Sequence, residues 1–213
     1  MDRQKTSPIS YKTKRIFDLV AAFSFLLILA VPLIIVALLV RIFLGSPILF
    51  TQERAGLDGR PFLLYKFRTM KELRNSSGEL LPDEKRLSSF GHLLRASSLD
   101  ELPELINIIK GEMSFIGPRP LLLEYLPLYS KEEFRRHEVL PGLTGWAQIN
   151  GRNTLSWDQR FKLDIWYVDN WNLLLDLKIL IFTFAAVLKF KGVSAEGHVT
   201  MQKFTGSADQ IKN

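Results

Sequence analysis

The sequence predicts an α+β protein, mainly helical, with a re-entrant N-terminal membrane helix and a small domain of helices and short strands on the membrane surface. Three observations predict it. Between Asp18 and Arg41 lie 22 uncharged residues, LVAAFSFLLILAVPLIIVALLV. The basic excess sits at one end, with twelve Lys/Arg against five Asp/Glu in residues 1–74 and sixteen against seventeen in residues 75–213. Beyond residue 45, helical spacings of apolar residues outnumber strand-like runs.

Length and composition narrow the field. A chain of 213 residues with 47% hydrophobic and 23% charged residues holds one compact unit plus an appendage, and is neither disordered, collagenous nor coiled coil. The absence of Cys excludes disulfide scaffolds, Cys-ligated zinc, iron–sulfur clusters and cysteine nucleophiles. His92, His137 and His198 are far apart and lack metal-ligand spacing. Proton transfer and metal binding therefore fall to carboxylates.

The apolar run reaches about 33 Å as a helix, against a hydrocarbon core of about 30 Å. Pro32 near its middle predicts a break. Both flanks are basic: Arg3, Lys5, Lys12, Lys14 and Arg15 before, and Arg41, Arg54, Arg60, Lys66 and Arg68 after. The positive-inside rule places both flanks on the cytoplasmic side, which a bent helix entering and leaving by one face satisfies better than a Pro-containing span. A second apolar stretch, Ile179 to Leu188, is too short to span and reads as a core helix or an interfacial helix.

The remaining elements follow in order. Ile48–Gln52 and Phe62–Phe67 read as strands around the turn Gly56-Leu57-Asp58-Gly59, and Asn75-Ser76-Ser77-Gly78 as an exposed loop. Leu87, Phe90 and Leu94 predict a helix over 83–95. Leu102, Leu105, Ile106 and Ile109 predict one face of a helix over 98–110, stopped by Gly111. Ser130-x-x-Glu133 and Ser156-x-x-Gln159 are capping boxes opening two more helices. The expected organisation is a basic segment and membrane helix over 1–44, a cytoplasmic domain with interfacial helices over 45–205, and a tail over 206–213.

Three clusters carry chemistry. In Ser97-Ser98-Leu99-Asp100-Glu101-Leu102-Pro103, adjacent carboxylates at a helix start can supply a nucleophile, a metal ligand or a base. Ser98-x-x-Glu101 is equally a capping box, and on pattern alone that reading is the stronger. In Gly117-Pro118-Arg119-Pro120 two prolines fix the backbone around a guanidinium suited to phosphate. The stretch Pro141 to Asn153 adds Trp146 and Arg152 among glycines. No Walker A motif, GxGxxG or GxSxG is present.

Taken in order, Lys14-Arg15-Ile16-Phe17-Asp18, the broken apolar helix, Phe50-Thr51-Gln52, Lys66-Phe67-Arg68-Thr69-Met70, Leu99-Asp100-Glu101-Leu102-Pro103, Met113-Ser114-Phe115-Ile116-Gly117-Pro118-Arg119-Pro120 and Pro141-Gly142-Leu143-Thr144-Gly145-Trp146 resemble the monotopic phosphoglycosyl transferases, or bacterial sugar transferases. The resemblance runs from about residue 12 to about residue 205 and looks like the small, minimal-core subgroup. It implies transfer of a sugar-1-phosphate from a UDP-sugar, with an N-acetylated donor expected, to undecaprenyl phosphate with release of UMP. It further implies Mg²⁺ and the cytoplasmic face of the bacterial inner membrane, as the first membrane step of glycoconjugate synthesis. By resemblance Asp100 is the nucleophile, and Glu101 either helps bind Mg²⁺ or deprotonates the acceptor; both are metal-ligand candidates. Lys66, Arg68, Arg95 and Arg119, clamped by Pro118 and Pro120, are implied phosphate contacts, and Arg152 a donor contact. Asp164 and Asp176 match acidic positions of the family, as substrate residues or as structural ion-pair partners. Many relatives carry Ser-Pro at the membrane break where this chain has Val31-Pro32, so any hydroxyl contribution to the bend is missing. Anionic lipids are the expected surface, a homo-oligomer is compatible, and nucleic acid is not expected because no binding motif accompanies the basic segment. The competing readings are a non-enzymatic membrane scaffold whose acidic pair is only a cap, and a bitopic enzyme with a true span.

Overall fold

The computed structural model describes residues 8–151, 154–188 and 203–206. Arg152, His198 and nearly all of the expected tail lie outside them. The apolar run forms two helices, α1 (Pro8–Ile28) and α2 (Ala30–Leu44), bent by 65° at Leu29. The break therefore precedes Pro32, where the sequence placed it, by three residues. Pro32 is the third residue of α2, and its missing N–H falls in the first turn, where no intrahelical acceptor exists. The backbone bonds Leu29 N–H to Phe25 O and Leu33 N–H to Leu29 O, both 2.8 Å, flank the bend. Among the described residues no single helix is long and apolar enough to cross a membrane, whereas the bent pair is by length and composition. One side of the pair packs inward through Asp18, Ala22, Val36, Val40 and Leu44, while Val20, Phe23, Leu27, Ile34, Leu38 and Ile42 stay exposed.

Two antiparallel strands follow, β1 (Leu49–Ala55) and β2 (Pro61–Phe67), with Thr51 opposite Tyr65 and Phe50 opposite Lys66. The hairpin turn carries Asp58 and Gly59 at positive φ, in the stretch where the sequence predicted a turn. The single helix expected over 83–95 is two, α3 (Asp83–Arg86) and α4 (Ser89–Ala96), because Leu87 turns extended to bridge Met70 and Ser88 restarts the helix by accepting from Gly91 N–H at 3.1 Å. A side chain at Gly91 would meet Thr69 O at 1.9 Å, so only glycine lets α4 approach the strand's end.

The next helix, α5 (Glu104–Lys110), starts six residues later than predicted and ends at Gly111 with φ +85°. Its buried face is Glu104, Leu105, Asn107 and Ile108, and Ile106 is exposed, so the predicted apolar face is rotated. The strand β3 (Ser114–Ile116) pairs in parallel with a later strand, Gly142–Thr144; three residues each carry too little periodicity to be read from sequence. Between them lies α6 (Lys131–Phe134). The later strand is β4, and α7 (Trp146–Ile149), α8 (Trp157–Asn170) and α9 (Leu173–Leu188) complete the order. Both predicted capping boxes, at Ser130 and Ser156, are formed. Helix α9 extends the second apolar stretch toward its N-terminus; Leu175 and Ile179 are in the core, as a core helix requires, while Leu174, Leu177, Ile181, Phe182 and Phe184 are exposed. The main core gathers Leu64, Leu105, Ile108, Phe115, Tyr167 and Ile179 from β2, α5, β3, α8 and α9.

Candidate active site

A short 3-10 turn, Leu99–Glu101, joins α4 to α5 and carries the acidic pair. Ser98 before it is left-handed, at φ 58° and ψ 16°, and its side chain makes no capping bond, so the capping-box reading fails here. A left-handed non-glycine residue costs about 1–2 kcal/mol, and such strain concentrates at functional sites. The turn packs on β2.

The two carboxylates differ in what holds them. Glu101 Oε1 accepts from Lys66 Nζ at 2.6 Å and from Arg119 Nη2 at 2.6 Å. Both hydrogen bonds fall on that oxygen, and the second oxygen accepts none among the described residues. Asp100, 8% exposed, makes no hydrogen bond or ion pair among the described residues. Burial, and then the charge of Glu101, push Asp100 up to about 6, against the pull of Lys66, Arg119 and Arg95. For Glu101 burial also opposes the charge, but Arg119 and Lys66 outweigh it and hold the group well below the usual carboxylate range. A third carboxylate, Glu104, is 2% exposed, lies 3.1 Å from Lys66 Nζ and is pushed up to about 7 by burial, because its cation is shared with the closer Glu101. The sequence reading missed Glu104. The signal available was its i, i+3 spacing from Glu101 and to Asn107.

Arg119 comes from the loop after β3, and its backbone is held at each step. Pro118 O accepts from Gly142 N–H at 3.0 Å, Arg119 O from Arg136 Nη2 at 2.7 Å and Pro120 O from Arg54 Nη1 at 3.4 Å. Pro118 and Pro120 are buried. A side chain at Gly117 would meet Leu140 O at 2.3 Å, so the loop's start requires glycine. Arg136 itself is buried against Asp164, with Nε and Nη2 at 3.1 and 2.8 Å from Oδ2. Asp164 thus stands behind the Arg119 loop, with no bond to Asp100, Glu101 or Lys66 among the described residues.

The other predicted residues are placed as follows. Arg95 donates to Thr69 Oγ1 at 3.0 Å and lies in the field of Asp100; burial lowers its affinity for its proton and Asp100 partly restores it. Arg68 donates to Leu44 O and to Ser46 O, closing the link from α2 to β1, and makes no bond to the acidic cluster among the described residues. Asp176 accepts from Lys14 Nζ at 2.5 Å, Tyr167 Oη at 2.7 Å and Trp171 Nε1 at 3.0 Å, tying α1 to α8 and α9.

Among the described residues no group of three or more His, Cys, Asp or Glu side chains is arranged to hold a metal ion. The uncommitted oxygens of Asp100 and Glu101 fit a different kind of site. Two hard carboxylate donors suit Mg²⁺ when phosphate oxygens and water complete its octahedron.

Sequence comparison gives this geometry a context. A family model described as bacterial sugar transferase matches residues 9–190. The sugar transferase EpsL of Bacillus subtilis is 56% identical over 196 residues, covering 92% of this chain and 97% of the relative. The exopolysaccharide production protein ExoY of Sinorhizobium fredii is 39% identical over 202 residues, covering 87% and 89%. The UDP-glucose:undecaprenyl-phosphate glucose-1-phosphate transferase of Escherichia coli is 37% identical over 187 residues, which are 83% of this chain but only 40% of that longer protein.

Proposed function

This chain belongs to the bacterial sugar transferase family, and we propose on that premise that it moves a sugar-1-phosphate from a UDP-sugar to undecaprenyl phosphate through a phosphosugar carried on Asp100. Donor and acceptor classes are read across from the name of the Escherichia coli relative. The observation that carries the role of Asp100 is the division of labour within the acidic pair: Glu101 is clamped by two cations, and Asp100 is buried beside it uncommitted.

An oxygen of the Asp100 carboxylate attacks the β-phosphorus of the UDP-sugar. The new P–O bond forms as the bond from that phosphorus to the bridging oxygen breaks, and the electron pair leaves with UMP. A phosphate oxygen of undecaprenyl phosphate then attacks the same phosphorus. The acyl-phosphate bond breaks, the lipid-linked diphosphosugar forms, and the Asp100 carboxylate is restored. Lys66 and Arg119 keep Glu101 ionised and present positive charge to the phosphates. Arg95 faces Asp100 and supplies a further cation. Asp100 and the free oxygen of Glu101 would hold Mg²⁺, which when bound neutralises diphosphate charge. With Glu101 held well below the usual range, it is a poor general base at neutral pH, which favours its role as ligand and electrostatic anchor.

We place the bent α1–α2 pair in the bilayer as a re-entrant segment, with the exposed face of α9 at the interface. Wide uncovered apolar surface on both elements supports this. The site then lies at headgroup level, where a soluble donor and a lipid acceptor can each reach one carboxylate in turn. The test is the intact mass of detergent-purified protein after incubation with Mg²⁺ and a panel of UDP-sugars, glucose, galactose and N-acetylated donors included. A mass increase of one phosphosugar with one donor is expected. UMP release that needs undecaprenyl phosphate, with no adduct from any donor, would replace the covalent route with direct transfer.

A further inference from the structure

Lys66 is the cation that touches both Glu101 and Glu104, so its position sets the charge balance of the site. It sits on β2, a strand with one hydrogen-bonded neighbour, β1, and an otherwise open edge. Two-stranded hairpins are marginal alone, and their open edges carry unpaired N–H and C=O groups. Asn107, fully buried on α5, fills that edge. Its Oδ1 accepts from Tyr65 N–H at 3.1 Å and its Nδ2 donates to Leu63 O at 2.7 Å, the two backbone groups an added strand would take. The second Nδ2 proton goes to Glu112 Oε2 at 2.7 Å. Those two acceptors fix which way the amide faces, since a flipped amide would set oxygen against oxygen. One turn earlier on the same helix, Glu104 holds the Lys66 ammonium. Helix α5 thus grips β2 twice, by its backbone at residues 63 and 65 and by the side chain of the next residue.

We infer that Asn107 is a positioning residue for the transfer: by standing in for a third strand it fixes the register of β2 on α5, and so the place of Lys66 between Glu101 and Glu104. This rests on the proposed transfer reaction but not on its covalent route, so the readout is UMP release in the presence of undecaprenyl phosphate.

Two variants of the full chain separate positioning from mere stability. Asn107→Asp keeps the acceptor for Tyr65 N–H but sets carboxylate against Leu63 O and Glu112. Adding Glu112→Gln reverses the polarity of the 107–112 bond and restores it, while Leu63 O stays without its donor. Both variants are measured for kcat, for KM of the UDP-sugar and for melting temperature. The expected result is a kcat lowered between about 10- and 100-fold with KM changed less than about threefold. Glu112→Gln should recover melting temperature without recovering kcat. The inference fails if Asn107→Asp keeps wild-type kcat per folded molecule, or if kcat recovers in step with melting temperature in the double variant. Where the single variant does not fold, the double variant alone decides, through its kcat. A wild-type protein that turns over without any adduct defeats the covalent reading and leaves this comparison intact.

Discussion

Two buried groups of charges in this molecule look alike in composition and differ in how they are closed. Behind the Arg119 loop, Asp164 and Arg136 are both nearly fully buried, and the guanidinium divides its donors between Asp164 Oδ2 and Arg119 O. Asp176 is closed in the same way, with Lys14, Tyr167 and Trp171 on its two oxygens. At the acidic turn, Glu101 and Glu104 share Lys66, both Lys66 and Arg119 meet on one oxygen of Glu101, and Asp100 has no hydrogen bond or ion pair among the described residues. A closed pair has its charges met by fixed partners and contributes shape, even where burial outweighs the pull of the partner and raises the carboxyl, as it does for Asp164 beside Arg136. An open one keeps a carboxylate uncommitted and able to react, which is how reactive sites differ from structural ones.

The sharpest way to break this comparison is to remove one carboxylate from each group. Asp100→Asn should lower turnover on the order of 10⁴-fold, as loss of a nucleophile does, with melting temperature unchanged or raised because an uncommitted buried charge has gone. UMP release and thermal melting measure the two halves. Asp164→Ala should do the reverse, costing about 3–5 kcal/mol of stability by leaving Arg136 buried and unpaired, while the molecules that remain folded still acquire the phosphosugar. Denaturant unfolding with intact mass on the folded fraction checks it. If Asp164→Ala abolishes adduct formation at unchanged stability, Asp164 belongs to the substrate site after all.

A subtler difference is in pH dependence. On folding, Asp100 rises from its ordinary 3.8 to about 6, so the folded state holds the proton over that range. The stability tied to this group is fully present below pH 3.8 and is lost as pH rises through about 6. Glu104, raised from 4.5 to about 7, acts in the same direction at higher pH. In chelator-treated protein the melting temperature should therefore fall between about pH 4 and 7, and fall less in Asp100→Asn. The smallest effect expected is from Ser98→Gly. Relief of about 1–2 kcal/mol of left-handed strain, offset by about 0.5–1 kcal/mol of added chain entropy, leaves a gain of roughly 0.5–1 kcal/mol by denaturant unfolding. A loss of stability would show that the Ser98 side chain has a role beyond its backbone.

Much of this was legible in the sequence, and the misses have physical causes. The 22 uncharged residues, the turn at 56–59, the stop at Gly111 and both capping boxes are local signals and appear in place. Pro32 marked the bend only approximately, because a proline is tolerated in a helix's first turn and the break falls just before it. The pattern Ser98-x-x-Glu101 pointed to a cap. It failed because Glu101 is drawn to Lys66 and Arg119, partners 35 and 18 residues away that no local rule weighs. Glu104 and Asn107 were hidden for the same reason: polar residues on a buried helix face make sense only once β2 is known to lie against it. The Asp164–Arg136 pair spans 28 residues, and sequence could offer it only as one of two readings.

The most direct test of the claim that the uncommitted carboxylate is the reactive one is to locate the phosphosugar within the chain. Acid-quenched protein loaded with its donor is digested, and the modified peptide is fragmented by mass spectrometry. The added mass should sit on Asp100, within the peptide that carries Leu99 to Glu104. Its appearance on Glu101 or Glu104, each of them engaged by Lys66 in the structure, would contradict the division of labour on which the proposed mechanism stands.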